Sequence, residues 1–269
     1  MSGTAGDGVT GWLLLAAAAF VAGGVNAIAG GGTILTFPVL GAILPADPGR
    51  LVAANATSTI GLWPASAVAA WVTRGVRSDL PRWSKWLVVP SFVGGVVGTL
   101  LVLGLPPSWF DRMVPWLILL AAVLFAVQPR LATWAHGGGE ASTPRIVAAC
   151  GLQFLVGIYG GYFGAGMGIL MIAMLGLLGL GDIHRLNAVK NSLATAINGI
   201  AAAVFAAGAV LGSHEVSWPH AAVMAACGVA GSLGASRLAA KLPAARLRRL
   251  VAIIGFALAG YYFWRQWQA

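Results

Sequence analysis

Gly23-Gly24-Val25-Asn26-Ala27-Ile28-Ala29-Gly30-Gly31-Gly32-Thr33 lies inside a long apolar run and recurs 134 residues later as Gly157-Ile158-Tyr159-Gly160-Gly161-Tyr162-Phe163-Gly164-Ala165-Gly166-Met167-Gly168. Glycine keeps backbone freedom and is a poor helix former, so each cluster reads as a break in a helix. Non-helical backbone at membrane depth is tolerated only where it is buried in protein or lines a wet cavity. Two breaks at matching places in two halves point to the binding site of a transporter.

Composition supports a membrane setting. Of 269 residues, 59% are hydrophobic and 9% are charged, against about 25% charged in a soluble domain. The fold class expected is all-α, a polytopic integral membrane protein. The formal charge of +9 fits the basic cytoplasmic loops of such a protein. The basic residues are scattered between apolar runs beside no nucleic-acid-binding motif, so no nucleic acid is expected as a partner. Cys150 and Cys227 sit in apolar runs without metal spacing and read as inert buried thiols. No metal, cofactor or catalytic triad is expected, and the protein is not read as an enzyme. The start of the chain has no basic residue and carries Asp7, so a cleaved secretory signal is not expected.

Ten apolar segments follow in order: 11–29, 33–44, 50–73, 86–104 and 113–127, then 146–163, 168–180, 186–211, 217–236 and 250–264. The second and seventh are too short to cross a hydrocarbon core about 30 Å thick. Each is expected to pair with the preceding segment as a bent or re-entrant hairpin, its glycine cluster at the tip. The organisation read here is an N-terminal tail 1–10, a first membrane repeat 11–130, a linker 131–145 and a second membrane repeat 146–269. Further matches support the repeat. Asp47-Pro48-Gly49-Arg50-Leu51 answers Asp182-Ile183-His184-Arg185-Leu186, and Asn55 with Thr59 answers Asn191 with Thr195.

Charge chooses the topology. If each hairpin returns the chain to its starting side, 13 of the 16 Lys and Arg fall on one face, leaving Arg50, Arg112 and Arg265 opposite. If each hairpin crosses once, the division is 7 against 9, which is no bias. The first arrangement obeys the preference of basic loops for the cytoplasm. It makes the two repeats inverted and puts both termini outside.

Candidate site residues gather at the clusters. Successive glycine amides form anion-binding nests, and a following helix start adds partial positive charge. Gly30, Gly31, Gly32 and Thr33, with Gly164, Gly166 and Gly168, suit a small anion; close helix packing by small residues is the other reading. Asn26, Asn55, Thr57, Ser58, Asn191, Ser192 and Thr195 are neutral groups that either coordinate an anion or bond a neighbouring helix. Asn191, Thr195 and Asn198 share one helical face. Lys190 is either a charge beside a wet site or a snorkelling surface lysine. Asp47 and Asp182 read as helix caps or as a gate pair with Arg50 and Arg185. Trp83, Trp86, Trp109, Trp116, Trp264 and Trp267 fall at segment ends as interfacial anchors. Tyr159, Tyr162 and Phe163 flank the second cluster, either gating the cavity or packing on it.

The two copies run Asn26-Ala-Ile-Ala-Gly-Gly-Gly-Thr33 to Arg50-Leu-Val-Ala-Ala-Asn-Ala-Thr57-Ser58, and Gly160-Gly-Tyr-Phe-Gly-Ala-Gly-Met-Gly168 to Arg185-Leu-Asn-Ala-Val-Lys-Asn191-Ser192. A glycine-rich break, an apolar stretch and an Arg-Leu-x-Ala-x-Asn-like helix resemble the TauE/SafE sulfite-exporter family, also called TSUP, over nearly the whole chain. The resemblance implies transport of sulfur-containing anions such as sulfite, sulfonates or sulfoacetate across a bacterial inner membrane. The expected function is a secondary transporter using alternating access; an anion channel and a non-transporting membrane assembly are the alternatives. The expected partners are a small anionic substrate and the lipid bilayer, with the proton as candidate coupling ion. The direction of transport and the oligomeric state are not set by the sequence.

Overall fold

The computed structural model describes residues 8–28, 30–73, 82–132, 142–180, 183–238 and 244–268. Every extended element among them is helical: α1 (Val9–Ile28), α2 (Thr33–Ile43), α3 (Arg50–Val72), a 3-10 turn (Arg82–Leu87), α4 (Val88–Gly104), α5 (Pro107–Ala132), α6 (Thr143–Tyr162), α7 (Met167–Leu177), α8 (Ile183–Val210), α9 (Trp218–Leu238) and α10 (Ala244–Gln268). Six of them, α1, α4 with its 3-10 turn, α5, α6, α8 and α10, are long and apolar enough to cross a membrane. This is a multi-pass membrane protein. The helices α3 and α9 have 23 and 21 residues and pack against other helices of the bundle. As expected from segment length, α2 and α7 have 11 residues each, about 16 Å of helix.

The two glycine clusters end their helices in the same way. Gly30 N–H donates to the Val25 carbonyl and Gly164 N–H to the Tyr159 carbonyl, five residues back in both cases. Gly30 and Gly164 have φ of 78° and 77°, a left-handed conformation that favours glycine. The short helix then restarts, α2 at Thr33 and α7 at Met167.

Side-chain contacts give the helix directions. On α3 and α8, the Ser217 N–H beyond the end of α8 donates to Thr57 Oγ1 at 3.0 Å, while Thr195 Oγ1 donates to the Ser66 carbonyl at 2.8 Å. Residue numbers rise on one helix as they fall on the other, so the two are antiparallel. The pair α5 and α10 is antiparallel too: Gln266 Nε2 donates to the Asp111 carbonyl at 2.7 Å, and Gly255 lies on Ala122. By contrast α1 runs parallel to α9, with Trp12 stacked on His220 at 4.1 Å and Gly23 against Gly228. Likewise α4 runs parallel to α6, with Gln153 Nε2 donating to Ser91 Oγ at 2.8 Å and Thr99 Oγ1 to the Gly161 carbonyl at 3.1 Å.

The loops 44–50, 102–107 and 213–217 share one cavity and therefore one face, here the Arg50 face. Trp83 packs in one cluster with Leu180 and Leu186, which defines the opposite, Trp83 face. Accordingly α1, α3, α5 and α9 run from the Arg50 face to the Trp83 face, and α4, α6, α8 and α10 run back. Each of α1, α3, α4 and α5 is thus opposed in direction to α6, α8, α9 and α10 respectively. The packing pattern is also preserved on exchanging the halves: α1 on α9 answers α6 on α4, and α3 on α9 answers α8 on α4.

Small residues make the two parallel crossings close. A Cβ on Gly98 would fall 2.0 Å from the Ile158 carbonyl oxygen, so only glycine admits this approach. Gly23 and Gly161 serve the same crossings; for these glycines the packing reading holds. Trp83 is buried; Trp86, Trp109, Trp264 and Trp267 are exposed near helix ends, as expected of anchors, whereas Trp116 is exposed at the tenth residue of α5, because that helix starts at Pro107. Asp47 does not cap α3: Gly49, with φ of 86°, occupies the cap position without a side-chain bond. Asp182 lies outside the described residues. The thiols of Cys150 and Cys227 are free and partly buried.

Candidate functional site

The two glycine loops meet in the interior. A Cβ on Gly31, whose φ is +106°, would lie 2.1 Å from Gly166 N, and one on Gly30 would lie 3.0 Å from Gly168 Cα. Backbone touches backbone, which accounts for glycine in the first loop; in the second, Gly164 and Gly166 have φ of 77° and 78°, which favours glycine. Beside this contact is a small cavity of about 20 Å³ lined by α1, the two loops, α3, α7 and α8. It holds about one water-sized sphere, so a larger ligand requires the walls to part.

Asn26, Gly30, Gly31, Thr33, Gly164, Gly168, Lys190 and Asn191, all singled out in the sequence, line this cavity together. Lys190 is completely buried, and its Nζ has no hydrogen-bond partner. The Asn191 Nδ2 beside it is also buried without a partner. Among the described residues no carboxylate lines the cavity. Lys190 is the eighth residue of α8, about 10 Å along the helix axis from its start, so it does not snorkel to the surface.

The loops contribute less bare amide than the sequence suggests. Asn26 Oδ1 accepts from Gly31 N–H at 2.9 Å and from Gly32 N–H at 2.7 Å. Asn26 therefore fixes the first loop from inside. In the second loop Tyr159 takes a comparable part, its hydroxyl donating to the Ala165 carbonyl. The Gly168 amide, at the start of α7, finds no acceptor among the described residues. The N-termini of α2 and α7 both open on the cavity, and helix starts carry partial positive charge.

Other expected residues lie nearby but do not line the cavity. Gly32 packs on Ala22, and Gly166 lies between Gly31 and Leu124. Asn55 Nδ2 donates to the Tyr162 carbonyl at 3.0 Å. Thr57 receives the Ser217 amide. Ser58 Oγ shares a 2.8 Å hydrogen bond with Thr36 Oγ1. Ser192 Oγ donates to the Ala188 carbonyl at 3.1 Å. Thr195 bonds the carbonyls of Ser66 and Asn191. In the first half, then, the Asn55 region is spent on holding helices together, while its counterpart around Asn191 opens on the cavity.

Two polar lining residues were not among the site residues singled out. Asn198 Nδ2 donates to Ser66 Oγ at 3.1 Å, joining α8 to α3 across the cavity wall. Asn198 was legible on the face shared by Asn191 and Thr195. Ser66 stands eleven residues after Asn55, three helical turns on, and that stripe was the available signal.

Tyr162 and Phe163 pack rather than stand free. Phe163 meets Phe37 edge to face at 5.2 Å, Phe37 meets Phe110, and Phe110 meets Tyr162 at 5.5 Å. This aromatic chain fills the space between the second loop and the Arg50 face. Among the described residues there is no His, Cys, Asp and Glu cluster able to hold a metal.

Comparison with known proteins agrees with this arrangement. A family model described as Sulfite exporter TauE/SafE matches residues 15–262. The chain is similar to a "Probable membrane transporter protein ORF9" of Sinorhizobium sp, with 28% identity over 247 residues, covering 90% of this chain and 88% of that protein. It is similar, also at 28% over 247 residues, to a "Probable membrane transporter protein" of Haemophilus influenzae, covering 89% of each. A third likeness, 30% over 150 residues, is to the "Probable membrane transporter protein YfcA" of Escherichia coli K12, covering 56% of this chain and 53% of that protein. No solved structure matches.

Proposed function

Because the chain belongs to the sulfite exporter TauE/SafE family of membrane transporters, we propose that it is a secondary transporter of a small sulfur-containing anion, with the cavity between the glycine loops as its substrate site. The observation that carries this reading is Lys190, a fully buried cationic side chain whose Nζ has, among the described residues, no acceptor and no carboxylate beside it. A buried ammonium without a partner costs several kcal/mol, and an anion at the cavity removes that penalty. Asn191, the Gly168 amide and the starts of α2 and α7 are further donors aimed at the same place. Sulfite, sulfonates and sulfoacetate-like anions present several acceptor oxygens to such a set. The sulfur chemistry comes from the family; charge and donor geometry give only "anion".

The opposed helix directions and the exchangeable packing support reading residues 11–130 and 146–269 as inverted repeats joined by the linker 131–145. In transporters built this way the site lies at the repeat interface, often where discontinuous helices begin. Alternating access then follows from rocking one repeat against the other. The aromatic chain Phe163–Phe37–Phe110 is the closure toward the Arg50 face. The ends of helices on the Trp83 face carry most of the Lys and Arg, which supports reading that face as cytoplasmic, at a bacterial inner membrane, with both termini outside.

Counterflow in proteoliposomes tests the proposal. Labelled sulfite inside should exchange with unlabelled sulfite or sulfonate outside, saturably and without exchange for chloride. Conductive flux without exchange identifies a channel instead, and absence of flux for every anion removes the transport reading.

A further inference from the structure

Resting on the anion-carrier reading, we infer that Lys190 is also the proton carrier of the transport cycle, so that each monoanion crosses together with one proton. Among the described residues the site contains no other candidate. Its other lining residues, Asn26 of α1, Thr33 of α2, Ser66 and Ala69 of α3, Met167 of α7 and Asn198 of α8 among them, do not titrate. Of the titratable groups on elements packed against α8, Tyr159 of α6 spends its hydroxyl on the Ala165 carbonyl, and Tyr162 packs in the aromatic chain. Arg82 and Lys85 of the 3-10 turn, Arg145 of α6 and Arg185 of α8 stand at the Trp83 face, and Arg50 of α3 at the other.

An ammonium in this place is stable only with a negative charge beside it. Proton and anion binding at Lys190 are therefore coupled, and the coupling is reciprocal. On the loading side, water delivers a proton to the Nζ lone pair, an N–H bond forms, and the ammonium pairs with the anion. On the other side the anion leaves, the N–H bond breaks, the proton returns to water and the lone pair is restored. The amine then reorients uncharged. One proton and one negative charge have moved together, so the cycle is electroneutral for a monoanion. Arginine cannot perform this step, because it does not release its proton in proteins.

The test uses purified full-length protein in liposomes containing a pH-reporting dye, with potassium and valinomycin clamping the membrane potential. The probe is methanesulfonate, a strong-acid anion that carries no proton of its own. We expect net methanesulfonate flux to move protons in the same direction at a ratio of 1:1 and to be insensitive to the clamped potential, while one-for-one exchange moves no protons. In Lys190→Arg, net flux should fall at least tenfold more than exchange, a change of ratio that a general loss of folded protein does not produce. Methanesulfonate flux without protons, flux driven by the potential, or an unchanged ratio in Lys190→Arg overturns the inference. So does sulfite exchange without any methanesulfonate flux, since the proton then travels on the substrate. In each of these cases anion exchange persists and the transporter reading stands, whereas loss of exchange for every anion in the wild-type protein removes that reading itself.

Discussion

Gly31→Ala puts the loop contact to a direct test. The new Cβ would sit 2.1 Å from Gly166 N and 2.7 Å from Gly166 Cα. An unstrained contact is about 3.5 Å, so the two loops must separate by about 1.4 Å. The obstacle is backbone and cannot rotate away as a side chain does. Residue 31 also has φ of +106°, where a non-glycine residue costs about 1–3 kcal/mol. Overpacking a fitted interior costs about 1–3 kcal/mol more. Together these give about 2–6 kcal/mol against the arrangement in which the two loops and Lys190 line one cavity. At tenfold per about 1.4 kcal/mol, even the lower figure reduces the population of that arrangement about 30-fold. The assay is sulfite counterflow per mole of protein eluting as a monodisperse species on size exclusion. Gly151→Ala is the control, since a Cβ there meets nothing within 4 Å, and it should exchange at the wild-type rate. Wild-type counterflow in Gly31→Ala would refute the reasoning, because the loop contact would then be irrelevant to the site.

Other expectations concern the residues around that contact. Lys190→Met should abolish saturable exchange without lowering thermal stability, because the buried unpaired ammonium it removes carries a penalty of several kcal/mol; retained exchange, or a marked fall in Tm, contradicts it. Asn26→Ala leaves the buried amides of Gly31 and Gly32 without an acceptor, at about 1–3 kcal/mol each, so Tm in detergent should fall clearly, and an unchanged Tm shows that the loop does not depend on this side chain. In a background with Cys150 and Cys227 replaced by alanine, Lys85→Cys and Arg249→Cys should react with impermeant thiol reagent from the cytoplasm and Glu215→Cys from outside. Labelling of Lys85→Cys and Arg249→Cys from opposite sides would break the topology.

Much of this architecture was legible because the strongest signals were local. Apolar runs of known length gave the helices, and two short runs after glycine clusters gave α2 and α7. The 134-residue recurrence reappears as matched hydrogen bonds at Gly30 and Gly164. What was not legible depends on neighbours distant in sequence. Gly23 and Gly31 sit in one glycine-rich stretch, yet the first lets α1 touch α9 and the second lets two loops touch; nothing local separates them. The sequence leaves Asn26 open between coordinating an anion and bonding a neighbouring helix; its oxygen accepts the amides of its own loop. Asn55 and Asn191 match as a repeat pair. The first meets the Tyr162 carbonyl and the second a cavity, because Ala54 stands beside one and Lys190 beside the other. Duplication predicted equal residues, and divergence after duplication gave them unequal surroundings. Ser66 escaped notice because it has no polar counterpart in the second half.

The most direct measurement is counterflow of labelled sulfite by the purified protein in liposomes, against a panel of unlabelled anions. The account predicts saturable exchange, competed by sulfonates and not by chloride, that disappears in Lys190→Met. Sulfite exchange that persists in Lys190→Met would contradict the assignment of the cavity as the anion site.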